Sequence, residues 1–453
     1  MDGLYRLSFK AIWTQFKQEH FSFWMICAYL FFQYFEPQSI YPALDVVPWD
    51  KVIVGLTVIS VLVDPQKRWV RNPANIWMTL FLGVIIASCF TAVFPTVSWS
   101  HWFDFFDWYV IYFLIIITVN TRERYFIFLA IFILASFKMS LFGARTWISR
   151  GFGFRDWGIQ GPAGFFENSG ELSIQMLVFS PIALELALFL KPWLSRVKYC
   201  FALVVPLTGA MTVMGASSRG SQFGLAAQIG HFAVSRKLKV RIVLAAVVLV
   251  VIGWAMLPDA EKARFTAAGT DKTSVQRLEY WRAGVNMIRN HPLLGIGYFN
   301  FPPYFAVSHP DELFEGHAQQ PHNIFIQVGT DSGLLGLGIF LMLIYRTLKT
   351  TRDIGRACKG NDHAPAFAPC VARGLATSTL GFVVAGQFVT VAYYPFLWIN
   401  LALAVSLANV VARSAETVPS SVPLQRPGKR SPSFPEKPST RKRRPRSSAV
   451  RPS

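Results

Sequence analysis

GLATSTLGFVVAGQFVTVAYYPFLWINLALAVSLANVVA, the stretch from Gly374 to Ala412, carries no Asp, Glu, Lys or Arg. A helix that spans a bilayer needs about 20 mostly apolar residues. This stretch is long enough for two, and Tyr394-Pro395 is the natural break, because proline lacks the N–H that would continue the helical ladder. Working outward, Ile76 to Ser100 and Ile242 to Pro258 are also free of those four residue types. Further apolar runs lie at about 21–36, 51–63, 107–120, 125–142, 172–190, 199–216, 221–234 and 331–348. With the Gly374 stretch counted twice, the expected fold is an all-α integral membrane protein with about twelve transmembrane helices.

Composition points the same way. The chain has 453 residues, 53% hydrophobic and 15% aromatic, and only 15% are charged, where soluble domains average about 25%. Fourteen Trp and forty Phe exceed what one aqueous core can hide. That excludes a soluble enzyme and, equally, a disordered chain. The net charge of +19 would suit nucleic acid, but from Arg413 onward eleven Lys/Arg face two acids, so about half of the excess sits in the tail. The five cysteines form no CxxC pair, and neither a disulfide framework nor a zinc ribbon is expected.

Loop charge sets orientation, because short Lys/Arg-rich loops stay cytoplasmic. Every even-numbered connection between the twelve runs is basic, from Lys67, Arg68 and Arg71 in the second to the cluster between Arg346 and Lys359 in the tenth. Both termini are therefore expected in the cytoplasm. The first apolar run lacks a small-residue cleavage site, so it is expected to remain as a span. The resulting plan is a cytoplasmic N-terminus at 1–20, and nine spans over 21–257 with a periplasmic loop at 143–170. A large periplasmic loop at 258–330 and three spans over 331–412 follow. Residues 413–453 form a disordered basic tail, rich in Pro, Ser and Arg. A run of some seventy residues is too long for a bare connection. Within it Leu278, Trp281, Val285 and Ile288 recur at helical spacing and predict a helix over Ser274 to Asn290. His291-Pro292 ends that helix.

The large loop holds four of the eight histidines, His291, His309, His317 and His322. A zinc site of His309, His317 and His322 would lack both an HExxH helix and a Cys/His tetrad, so no metal is assigned. The arginines carry more. Arg219, in Ala216-Ser217-Ser218-Arg219-Gly220, sits at the outer edge of the membrane and breaks the inside-positive pattern. Charged groups at that depth are costly and usually face a polar cavity. Arg277, Arg282 and Arg289 follow on the loop helix, and Arg145, Arg150 and Arg155 lie in the other outer loop. Clustered guanidinium groups suit an anionic substrate, because they bind phosphate oxygens bidentately and stay charged when partly buried. The bland alternative is pairing with Asp271, Glu279 or Glu167, and for Arg282 and Arg289 it is the better reading. His322, in Gln320-Pro321-His322-Asn323, has an imidazole able to accept a proton from a hydroxyl near neutral pH. Taken alone, a lone histidine is usually structural. Asn168 is a candidate for binding sugar hydroxyls, with a loop turn as the alternative.

Taken in order, these residues resemble a known family. Arg277-Leu278-Glu279-Tyr280-Trp281, His291-Pro292-Leu293-Leu294-Gly295-Ile296-Gly297, His322-Asn323 and Asp331-Ser332-Gly333-Leu334-Leu335-Gly336 are similar in order and spacing to the O-antigen ligase/polymerase superfamily of bacterial inner membranes. Ser218-Arg219-Gly220 resembles that family's arginine between two spans, and Asp331 departs from the glutamate often found there. Phe35-Glu36-Pro37-Gln38-Ser39-Ile40-Tyr41-Pro42 resembles a subgroup of O-glycosylation ligases associated with exosortase systems.

The resemblance implies a metal-independent, inverting glycosyltransferase with no cofactor and a periplasmic active site. Its donor would be a glycan on undecaprenyl diphosphate. The acceptor would be a hydroxyl of lipid A-core, another glycan or a protein. By the same resemblance Arg219 and Arg277 hold the diphosphate and His322 serves the acceptor, with Arg282, Arg155 and Asn168 as further substrate contacts. A polymerase that extends lipid-linked repeats fits the same motifs. A transporter or flippase would show internal repeats and ionisable groups near the midplane, for which Glu185 and Lys138 are the candidates. A structural scaffold would not need the arginine asymmetry.

Overall fold

The computed structural model describes residues 1–154, 158–236, 262, 272–313 and 316–416. The expected span at 242–258, Arg155, Asp271 and the tail beyond 416 lie outside the described residues. Fourteen helices of eight residues or more organise what is described. They are α1 Phe9–Gln18, α2 Phe21–Phe35, α3 Trp49–Val63, α4 Pro73–Phe90, α5 Pro95–Thr118, α6 Arg122–Ser149 and α7 Ser169–Leu190. Then come α8 Arg196–Gly215, α9 Arg219–Ser235, α10 Lys272–Asn290, α11 Phe301–Ser308, α12 Ile324–Ala357, α13 Ala368–Ala385 and α14 Pro395–Glu416.

Eight of these, α4 to α8 and α12 to α14, are long and apolar enough to cross a membrane. The shorter α2, α3 and α9 hold 15, 15 and 17 residues and occupy three further positions where spans are expected. Boundaries differ from the sequence reading where capping chemistry decides. The uncharged run Ile76–Ser100 is not one span: α4 stops at Phe90, and Pro95, in the first turn of α5, starts the next helix. Helix α12 starts at Ile324, not near Asp331, because Asn323 Oδ1 accepts from the N–H groups of Phe325 and Ile326 at 2.9 and 3.2 Å. Residues 413–416, counted with the tail by sequence, belong to α14. Its Arg413 donates to Asn120 Oδ1 at 2.9 Å.

The core is apolar and aromatic. Trp398 on α14 is fully buried against Phe81, Phe105 and Phe340, with ring centroids 4.9–6.1 Å apart. Polar side chains tie helices together where water is absent. Gln228 Nε2 donates to Leu177 O at 2.7 Å and Thr377 O at 3.1 Å, and Asn400 Nδ2 donates to Thr379 Oγ1 at 2.7 Å. Large apolar side chains such as Ile76, Leu80, Phe201 and Leu207 point outward, as lipid-facing positions do.

The loops sort onto two ends. At one end Arg124, which is 0% exposed, donates to Glu19 at 2.6 Å, to Asp64 at 3.2 Å and to Thr118 O at 3.0 Å. Burial works against the Asp64 carboxylate, yet bonds from Ser22 and the Gln66 N–H, and the Arg124 charge, hold it below its ordinary pKa. Lys198 reaches the carbonyls of Arg6 and Leu7 at this end, and Glu185 joins Arg236 and Arg373. Glu185 is thus engaged in ion pairs and Lys138 donates to Phe35 O at 2.8 Å, so both candidate midplane groups have structural partners. The opposite end gathers the connections after α2, α4, α6, α8 and α13 with α10 and α11.

Candidate active site

The site is built from the loop end upward. Arg219 occupies the first turn of α9, behind Ser218 at the N-cap. Its guanidinium Nη2 donates to Ser274 Oγ at 3.2 Å, which fastens the start of α9 to α10. Arg277 lies one turn along α10 from Ser274, on the same face. One further turn on, Trp281 donates from Nε1 to Pro321 O at 2.9 Å, fixing the residue before His322. Trp281 also packs against Phe388 at 6.3 Å, and Gly220, next to Arg219, lies against the same Phe388 ring. The segment after α13 then closes the circle, because the His322 N–H donates to Thr390 Oγ1 at 2.9 Å. Arg219, Arg277 and His322 are therefore carried by three chain segments that converge on residues 386–390.

His322 is held in the left-handed region, at φ 50, which a non-glycine residue adopts only when its surroundings enforce it. Its Nε2 lies 3.2 Å from Gln319 Oε1. With the Gln319 oxygen assigned to that position, the matching tautomer carries the proton on Nε2 and the lone pair on Nδ1. Burial and the positive Arg277 lower the ring's pKa to about 4. The imidazole is consequently neutral at physiological pH and able to accept a proton.

The motif around Gly295 and Gly333 is a clamp beside this site. Helix α12 kinks at Ser332–Gly333, where φ of Gly333 is +65. A Cβ there would lie 2.3 Å from Leu293 O, and one on Gly295 2.1 Å from Thr330 O. Main-chain bonds fill this close approach, with Ile296 N–H to Thr330 O at 2.8 Å and Leu334 N–H to Pro292 O at 2.7 Å. Asn300 accepts from Phe94 N–H at 2.6 Å and donates to Ser98 at 2.8 Å. The loop elements are thereby locked to α4, α5 and α12.

The remaining sequence candidates separate. Arg282 is exposed and lies roughly 140° around α10 from Arg277, so it is not brought to the same face. Arg155 lies outside the described residues. Asn168 forms a capping box with Glu171 at the start of α7, as the loop-turn alternative has it, and Gly170, two positions on, packs on Val389, between Phe388 and Thr390. His309 stacks on Phe305 at 4.8 Å and bonds Ser308. Among the described residues, no three His, Cys, Asp or Glu side chains group as metal ligands. Sequence reasoning missed Gln319 and Thr390. Gln319 lies three positions from His322 and was within reach of local reading; Thr390 comes from 68 residues away, a pairing only the fold reveals.

Comparison with known proteins finds likeness in the same part of the chain. Residues 177–341 match the family model described as O-Antigen ligase, and Arg219, Arg277 and His322 all lie within that stretch. Residues 7–191 match a family of unknown function. A Rickettsia bellii protein named "Putative polysaccharide ligase" is 33% identical over 92 residues, 19% of this chain and 22% of its own length. One from Rickettsia prowazekii, likewise described as a polysaccharide ligase, is 30% identical over 90 residues, again 19% and 22%. The chain thus aligns with about a fifth of the length of these relatives.

Proposed function

We propose that this protein is a glycosyltransferase of the O-antigen ligase type, which moves a glycan from undecaprenyl diphosphate to an acceptor hydroxyl at the periplasmic face of a bacterial inner membrane. The observation that carries this reading is the convergence of Arg219, Arg277 and a neutral His322 on one end of the bundle. The acceptor is lipid A-core, another surface glycan or a protein Ser/Thr, the last being what the likeness to exosortase-associated ligases implies. The chain crosses the membrane twelve times, with both termini cytoplasmic.

The chemistry follows from the groups present. The acceptor oxygen attacks C1 of the first sugar, the bond from C1 to the phosphate oxygen breaks, and the anomeric centre inverts. Charge develops on the departing diphosphate. The fixed guanidinium groups of Arg219 and Arg277 stabilise it most where water is excluded, aided by the positive end of α9. His322 Nδ1 takes the acceptor proton. A base with a pKa near 4 is weak; burial, the larger cause, persists, but the arriving diphosphate offsets the Arg277 charge and raises the ring's basicity when the donor is bound.

The test is transfer by purified protein in nanodiscs, given a defined undecaprenyl diphosphate glycan with lipid A-core, a Ser/Thr peptide or a second lipid-linked glycan as acceptor. Product on the first or second acceptor, insensitive to EDTA, is expected. Product on the lipid-linked glycan alone would make the protein a polymerase, and no product with any acceptor would refute the reading. Arg277→Lys is expected to lower kcat at least about tenfold, because lysine keeps the charge and loses the bidentate fork.

A further inference from the structure

A cavity of about 410 Å3 opens on the loop end, between α2, the connection that follows it and residues 163–165. Its size suits a small-molecule site. It lies in the stretch matched by the family of unknown function and outside the stretch matched as O-Antigen ligase. Phe32, Trp49 and Phe165 supply aromatic faces, while Glu36, Gln38 and Asp45 supply carboxyl and amide groups. Glu36 and Gln38 belong to the Phe35–Pro42 motif, which the transfer chemistry leaves unused.

Two polar groups here await a partner. The Glu36 side chain lines the cavity although the residue is only 5% exposed, and among the described residues it makes no hydrogen bond or ion pair. Gln38 Oε1 is buried and likewise unbonded. Lys138, the cation that acts on Glu36, directs its ammonium group to Phe35 O at 2.8 Å and over the Phe35 ring. A buried carboxyl without a partner is costly, so its retention at a cavity wall points to a ligand that completes it. Burial pushes Glu36 up to about 7, with Lys138 opposing, so near neutral pH the carboxyl both gives and takes hydrogen bonds.

The lining chemistry fits a sugar. A pyranose has an apolar C–H face for aromatic rings and hydroxyls for carboxyl and amide oxygens. The acids Glu36, Asp45 and Asp50 repel a diphosphate, so this is not the donor's phosphate site. The cavity wall reaches the catalytic candidates through the 163–170 connection. Phe165 packs on Tyr394 at 5.0 Å and Gly170 on Val389, and the same segment holds His322 through Thr390.

Resting on the transferase reading above, we infer that this cavity is an acceptor subsite that binds a neutral or amine-bearing sugar ring of an acceptor glycan. The test is direct binding to the full chain in nanodiscs, followed by saturation-transfer NMR, of methyl glucoside, methyl glucosaminide, methyl glucuronide and a neutral Ser/Thr peptide. The first two should bind and the glucuronide should not. Glu36→Gln and Asp45→Asn should each weaken glucosaminide binding about tenfold, the loss of roughly one charge-assisted hydrogen bond. Asp45 is exposed, so its variant leaves the fold intact, and Trp49→Phe should keep binding. Absence of glycoside binding, preference for the glucuronide, unchanged affinity in both carboxyl variants, or binding of the peptide in place of the sugars would each overturn the inference. In the transfer assay the same two variants should raise KM for a glycan acceptor about tenfold and leave KM for the donor unchanged. The binding arm reads the cavity even if no transfer occurs, so failure of the transferase reading is told apart from failure of the subsite.

Discussion

At single residues, the proposed chemistry depends on the His322 ring. A group that works as a proton acceptor is competent above its pKa and loses competence as pH falls through it. With the ring's pKa lowered to about 4 in the free protein, kcat/KM should be flat through neutral pH and fall only near pH 4. An unperturbed histidine would give an inflection near 6.5. The kcat profile, which reports the donor complex, should break at higher pH, because bound diphosphate offsets Arg277. Replacing Arg277 with Met should move the kcat/KM inflection upward, while an unmoved inflection would show that Arg277 does not act on the ring. Sequence put His322, Arg219 and Arg277 forward as candidates because a motif lists residue types in order. It did not give the tautomer or the depressed pKa, since Gln319 and the burial around the ring depend on the folded loop. For the same reason it ranked Arg282 with the substrate contacts, although the helix carries that side chain to the exposed face.

Among elements, two features hold the site in place without touching substrate. The first is the clamp between the Pro292–Gly297 turn and the kink of α12. Gly333→Ala would add a Cβ 2.3 Å from a carbonyl oxygen at φ +65, and the α12 kink should not form as described. Thermal unfolding in detergent should show a fall in Tm of several degrees, and a wild-type Tm would contradict the clamp. The second is the buried Arg124 network at the opposite end. Arg124→Ala strands Glu19 and Asp64 as buried carboxylates, which costs about 3–5 kcal/mol, and a strong loss of folded protein is expected on size-exclusion chromatography. Because Asp64 is held below its ordinary pKa, its stabilising contribution is present above about pH 4 and is lost as pH falls further. Helix existence was readable from hydropathy, but helix boundaries were not. The starts of α5 and α12 are set by Pro95 and the Asn323 cap, which local capping chemistry decides and an apolar run does not reveal.

For the molecule as a whole, loops grouped by charge in the sequence are, among the described residues, the loops that meet in space: basic connections gather with Arg124 and Glu185, the others with His322. The pattern was legible because inside-positive sorting is written in composition. The span count was less so, because α2, α3 and α9 are short. A membrane-impermeant maleimide should label Asp311→Cys in intact spheroplasts and Lys359→Cys only after permeabilisation. The reverse pattern would invert the proposed orientation and remove the site from the periplasm.

The most direct measurement of the central claim is single-turnover transfer from undecaprenyl diphosphate glycan by the protein in nanodiscs, compared with Arg219→Ala and His322→Ala at matched folded amounts. Wild-type protein should form product and each variant should lose at least about a hundredfold, within the range for removal of a charge-stabilising or general-base group. Transfer by both variants at the wild-type rate would contradict the claim.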